Sequence, residues 1–359
     1  LTVTLLPETP ARWSLPNGQS APLDEALPTN PLDEIAYRME HPATEVFRVD
    51  GGSGVDRWPL LVMDDFDGVT WRTDGRYRRL GAELPPGPEV TVRTSRERAR
   101  ITSAGTGGPW LPSQTWPAAV TGAAPRVAPR YGTLALPGSD GVAQYQLDWW
   151  QPQVDATTLG SAATDPDAPG AATPIPDVPP RIQEFADRVT QGRRPSFQTA
   201  LLLENHLRTN YNRAEGEDLP TGHSWPQLDT FLFDSRRGTS EQFAAAYVVL
   251  ARTQSIPARL AVGFRAPPPA AGTSTSVITN RDVLAWPEVA VEGVGWVPLD
   301  PYGKANGAPA PAGTGLAAQA EAARRQLPPL ESLAEQPIAP IMPGGGAAGT
   351  GGGPGWPGV

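Results

Sequence analysis

Apolar positions in the first half of the chain fall in short β-type runs at 46–49, 58–63, 69–72, 90–94 and 144–150, with Gly and Pro clusters between them. Short strands punctuated by turn signals predict a small all-β sandwich or barrel over 31–155. Ahead of it, prolines at 7, 10, 16, 22 and 28 predict an extended segment over 1–30, because proline suits neither a helix interior nor a central strand. Residues 156–180 are rich in Ala, Gly, Thr, Asp and Pro without apolar periodicity and read as a linker. The period then becomes helical at Ile182, Phe185, Ala186 and Val189, again at Ala200, Leu201, Leu203 and Leu207, and in a third helix over 241–254. Strand-like runs follow at 259–264, 284–291 and 296–299. Helices first and strands afterwards predict an α+β domain over 181–305. After Gly307 the composition collapses to Ala, Pro and Gly, so the 306–359 tail is expected to be largely disordered apart from a helix at 316–327.

The 359 residues suit two folded units with linkers. The 43 prolines and 38 glycines approach the level of roughly 25% at which disorder becomes the default, so a core is expected only where apolar residues concentrate. A net charge of -9, with Lys304 the one lysine among 29 basic residues, argues against a nucleic-acid partner. Without cysteine the chain has no disulfide, no thiolate zinc site and no thiol nucleophile. Three scattered histidines add no zinc-ligand spacing, and there is no Walker A or dinucleotide fingerprint; neither a metal nor a cofactor is expected. The longest apolar run, 243–251, is far short of the roughly 20 residues that span a bilayer. Opening at Leu1 with no signal-peptide pattern, the sequence reads as a segment excised from a longer chain.

One constellation carries chemistry. Gly238-Thr239-Ser240-Glu241-Gln242-Phe243-Ala244, with Ile256-Pro257-Ala258-Arg259 and Val262-Gly263-Phe264 after it, resembles the catalytic-helix region of the transglutaminase-like superfamily. Asp282-Val283-Leu284-Ala285-Trp286-Pro287-Glu288-Val289 and Gly295-Trp296-Val297-Pro298-Leu299-Asp300-Pro301 resemble its second and third motifs, in the same order and at matching separations. The resemblance implies a papain-like fold with a Cys, His, Asp triad. It puts Ser240 at the cysteine position, Leu284 at the histidine position and Asp300 at the aspartate position. A triad needs a nucleophile, an adjacent base and a group that orients the base. Leucine takes no proton, and a hydroxyl depends on its base more than a thiolate does. The expectation is therefore a pseudoenzyme. A similar Asp-Gly-x-Trp turn precedes the catalytic domain in the membrane-anchored bacterial subfamily, and Phe66-Asp67-Gly68-Val69-Thr70-Trp71 is similar to it. That likeness implies the extracytoplasmic region of a bacterial membrane protein, joined to the membrane by flanking helices absent from this chain. A protein or a cell-wall polymer would be its partner.

Each candidate residue also has a plainer role. Ser240 lies at the start of a helix where Thr239 and Gln242 form a capping-box pattern, and Glu241 suits the positive end of the helix dipole. The alternative is a serine-based hydrolase or acyltransferase in which Ser240 uses a relocated base, His223 rather than His206. Trp286, His223 and Glu241 are the cleft candidates. Asp300 is expected to be a structural aspartate held by backbone donors, with Asp282 and Glu288 on a solvated face. Asp64-Asp65-Phe66-Asp67-Gly68 lacks the EF-hand ligand positions and is expected to form a hairpin turn. Trp110, Trp116, Trp149 and Trp150 could stack against sugars, but core packing is the commoner use of such residues.

Overall fold

The structure, a computed structural model, describes residues 21–22, 30–52, 54–81, 83–170, 173–303 and 315–327. The expected extended segment 1–30 lies outside these apart from Ala21–Pro22, a short strand paired with Tyr77 and Arg76, and Asn30.

Its centre is an antiparallel four-stranded sheet in the order Gly295–Pro298, Val283–Val291, Ala258–Arg265, Arg57–Met63. The last strand comes from the region expected to form a separate β domain. The exchange is mutual. Thr275–Thr279, from the C-terminal half, is the edge strand of a five-stranded sheet that continues through Glu45–Gly51, Thr94–Ala104, Val142–Pro152 and Pro117–Thr121. The boundary between 31–155 and 181–305 is thus not one between independent units, since each lends the other a strand. A compact unit runs through to Leu327. Gly263 makes the first junction possible, because a Cβ there would lie 2.1 Å from the carbonyl of Trp58 on the neighbouring strand.

Helix α1 (Ile35–Glu40) precedes these strands, and α2 (Ala156–Gly160) stands in the stretch expected to be a linker. That stretch is packed structure: Asp155 caps α2 through the amides of Thr157 and Thr158, Leu159 is buried, and Thr164 bridges to Val291. Capping and backbone pairing need no apolar period, which is why the composition conceals them. Helices α3 (Pro180–Thr190) and α4 (Phe197–Asn210) form where the apolar spacing placed them, with Pro180 at the first turn of α3 and Ser196 capping α4. Short α5 (Trp225–Asp229) leads to α6 (Ser240–Thr253), which is buried from Ser240 to Ala251 and packs against the central sheet. Ala244, Ala245 and Ala246 allow that close approach, and the Tyr247 hydroxyl donates to the Ala200 carbonyl at 2.9 Å, tying α6 to α4. From the tail, α7 (Leu316–Arg325) buries Leu316, Ala320 and Ala323; residues 304–314 and 328–359 lie outside the described residues.

One further expectation changes. The 90–94 run is a turn stapled to Gly293 by the amides of Thr91 and Val92, and the strand begins at Thr94. Its Arg-rich face hid it; Arg96 and Arg98 converge on Asp148 of the adjacent strand at 2.8–3.1 Å. The four tryptophans serve packing, the commoner use expected of them, and Trp116, Trp149 and Trp150 also border a cleft described below. Trp110, Trp116 and Trp149 are buried, and Trp116 and Trp150 donate their indole N–H groups to Glu89 and to the Leu84 carbonyl. The Asp67 turn is a hairpin: Asp65–Phe66 pairs with Trp71–Arg72, and the Asp67 carboxylate accepts from the amides of Val69 and Thr70.

Candidate functional site

The loop before α6 is held by its neighbours. Trp225 donates its amide to the Gly68 carbonyl and sets its ring edge-on to Phe66, so the hairpin clamps α5 and the loop carrying His223. Helix α6 starts in a capping box, with the Gln242 side-chain oxygen accepting from the Thr239 amide at 2.9 Å and the Gln242 amide group donating to the Gly222 carbonyl. Thr239 is the cap, not Ser240. The Ser240 hydroxyl instead points across to the sheet and accepts from the Ala285 amide at 3.0 Å, beside Leu284. Both Ser240 and Leu284 are buried. The fold therefore brings the first two positions of the expected triad together, as a hydroxyl bonded to backbone and a leucine.

Among the described residues no imidazole lies within hydrogen-bond distance of Ser240. His41 shares its Nδ1 with the Tyr37 carbonyl and His206 sits on α4 beside Phe185 and Asn210. His223 is buried with its Nδ1 at 2.9 Å from the Glu241 Oε1, and Asp33 Oδ1 stands 4.0 Å from the same nitrogen. Asp33, from the turn before α1, had no signal in the sequence; it is more than 180 residues from its neighbours in this corner.

Asp300 is more than a backbone-bonded aspartate. Its carboxylate accepts from Arg265 at 2.6 Å and from the Gly303 amide at 3.0 Å, with Arg208 at 3.6 Å and Arg57 at 3.8 Å. Burial by itself would raise this carboxyl, but the guanidinium groups of Arg265, Arg57 and Arg208 outweigh it and hold the group well below the usual carboxylate range. Glu204 accepts from the Asp300 amide at 2.6 Å. Burial pushes Glu204 up to about 7, against the opposing pull of Arg324. Helix α7 closes the cluster, with Glu321 3.6 Å from Arg208 and Arg324 3.7 Å from Glu204. Four guanidinium groups thus meet four carboxyls, Asp56 included. None of these arginines was legible as a site residue. Arg57 and Arg265 become neighbours only through strand register.

The remaining candidates are structural. Trp286 is 1% exposed and gives its indole N–H to Glu288, so its ring belongs to the core. Glu288 is not on a solvated face; it forms a buried pair with Arg259 at 2.8 Å. Asp282 is half-buried and caps a turn through the Thr279 amide. A cleft of about 510 Å³, including its open mouth, runs from Trp116, Trp150 and Trp296 to Arg57 and Pro298 beneath α7, and a smaller pocket sharing Arg57 and Pro298 reaches Glu204 and Asp300.

Comparison with known families agrees with this architecture. Residues 183–301 match the transglutaminase-like superfamily core, and residues 1–156 match the TgpA N-terminal domain. The chain carries a transglutaminase-like core. Over 79% of its length it shares the fold of the periplasmic domain of TgpA from Pseudomonas aeruginosa, covering 94% of that chain with a TM-score of 0.56 at 20% identity. The uncharacterized protein YebA of Bacillus subtilis is 30% identical over 133 residues, 35% of this chain. A protein-glutamine gamma-glutamyltransferase of Pseudomonas aeruginosa is 29% identical over 123 residues, 34% of this chain. Each match spans 18% of the relative's own length, so it concerns one portion of a longer protein. No helix among the described residues of this transglutaminase-like chain is long and apolar enough to cross a membrane.

Proposed function

We propose that this chain is a noncatalytic binding or scaffolding module on the extracytoplasmic face of a bacterial membrane, in which a transglutaminase-like fold has lost its acyl-transfer chemistry. One observation carries the reading. The Ser240 hydroxyl is engaged by the Ala285 amide, Leu284 stands beside it, and among the described residues no imidazole is within reach to take its proton. A hydroxyl without a base is a poor nucleophile, and loss of the base in a serine protease costs on the order of a millionfold in turnover. Asp300, bound to three guanidinium groups, has no base to orient. The likeness to a periplasmic domain supports the location. The cleft beneath α7 is the surface we assign to a protein partner or a cell-wall polymer.

The test is turnover. Incubated with a glutaminyl peptide and a primary amine, the chain should release no more ammonia than its Ser240→Ala variant, and neither should react with a fluorophosphonate. Ammonia release or labelling that disappears in Ser240→Ala would overturn the reading. It would favour the serine-based alternative, whose support is that Glu241 orients the His223 ring.

A further inference from the structure

Two buried side chains and one half-exposed one converge on a corner that the acyl-transfer machinery does not use. Asp33 comes from the turn before α1, His223 from the loop before α5, and Glu241 from the first turn of α6. One ligand atom from each lies within 4.8 Å of the others. We infer that Asp33, His223 and Glu241 form a binding site for a divalent transition-metal ion, zinc by the chemistry of its donors.

Three arguments lead there. The first is charge. Among the described residues neither carboxylate has an arginine partner; the ionic contact of each is to the His223 imidazole. Glu241 is nevertheless 2% exposed, and a buried carboxylate needs compensating charge. A dication supplies it. The second is spacing. Zinc bonds of about 2.0–2.2 Å in a tetrahedron place ligand atoms roughly 3.3–3.6 Å apart. Here Nδ1 to Oε1 is 2.9 Å and Nδ1 to Oδ1 is 4.0 Å, on either side of that range. Asp33 is the ligand free to adjust, its side chain being 51% exposed. The third is donor type: one imidazole nitrogen with two carboxylate oxygens suits zinc or manganese better than calcium or magnesium, which favour oxygen throughout. Three protein ligands leave one position for water. The ion would clasp the turn before α1 to the N-terminus of α6, two segments far apart in sequence.

The chain is a clean host for the test, because it contains no cysteine and only two other histidines, each apart from any carboxylate cluster among the described residues. The chain is titrated with Zn2+ against a chromophoric chelator, and with Co2+ read by its visible absorption. The expected result is saturable uptake of one ion per chain, abolished in His223→Ala and weakened at least about tenfold in Asp33→Asn and Glu241→Gln. Asp33→Asn alters a half-exposed side chain and keeps the fold, and His41→Ala and His206→Ala should bind as the parent does. No stoichiometric uptake, or uptake unchanged in both Asp33→Asn and Glu241→Gln, overturns the assignment and leaves His223 as a hydrogen-bonded ring.

Discussion

Two acidic corners flank the start of α6 and the end of the central sheet, and they resolve the same electrostatic problem in opposite ways. Around Asp300, carboxyls are met by guanidinium groups from a strand of the N-terminal half, a strand of the C-terminal half, α4 and α7. Around Glu241, two carboxylates meet one imidazole and, among the described residues, no guanidinium. Fixed cations compensate the Asp300 carboxylate in the first corner. The second has a charge deficit that a small mobile cation can fill. With leucine at 284, Asp300 has no imidazole there to orient, and arginines take up its carboxylate instead.

The sharpest way to break this contrast is to remove a fixed cation. Arg265→Ala leaves the buried Asp300 carboxylate with two more distant partners, and stripping one member from a buried pair costs about 3–5 kcal/mol. Urea unfolding should show the midpoint falling by that equivalent with an unchanged slope. Arg265→Met with Asp300→Leu should recover much of the loss, because the charge left behind is what costs. Loss under about 1 kcal/mol in the single variant would mean that Arg57 and Arg208 suffice.

Protonation gives the next largest effect. Glu204 is raised in the folded chain from 4.5 to about 7, chiefly by burial. A carboxyl shifted upward stabilises the fold below its unfolded value, and that contribution is lost as pH rises through the folded one. Stability should therefore fall between pH 4.5 and 7 by on the order of 3 kcal/mol. Glu204→Gln should flatten that slope. Asp300 has the opposite sign: its stabilising contribution is present above its ordinary value of 3.8 and is lost as pH falls toward its depressed folded value. Stability measured against pH in the parent and in Glu204→Gln separates these limbs.

What the sequence made legible follows from what local pattern can encode. The apolar period located α3, α4 and α6 and the strands at 258–265 and 283–291, because each buries a face or a whole segment. The motifs located Ser240 and Leu284 close together. Partners chosen by long-range register stayed hidden: Arg57 opposite Arg265, and Thr275–Thr279 beside Glu45–Gly51. So did Asp33 beside His223, and the strand at Thr94–Ala104, whose charged face pairs with Asp148. Alternation into an arginine-rich surface looks like a charge run until its partner is seen.

A smaller effect tests the junction of the two corners. Ser240→Ala leaves the Ala285 amide buried without its acceptor, and an orphaned donor of this kind costs about 1–3 kcal/mol. Thermal unfolding should register a modest drop. A nearly neutral result would mean that water replaces the hydroxyl, which would also make the site wetter than Leu284 suggests.

The smallest effect is expected at Glu241, and its smallness is informative. Without metal, Glu241→Gln keeps an oxygen acceptor for His223 and loses only the favourable placement of a charge in the first turn of α6, worth roughly 0.3–1 kcal/mol. It also removes half of an uncompensated carboxylate pair, which works the other way. Metal-free stability should therefore change by less than about 1 kcal/mol, against the larger loss at Arg265. Adding Zn2+ should then separate the proteins, raising the unfolding temperature of the parent and leaving the variant where it was, since an ion bound only by the folded state stabilises it by mass action. If both rise equally, the ion binds elsewhere; if Glu241→Gln is as damaging as Arg265→Ala without metal, Glu241 is already compensated and the contrast between the corners disappears.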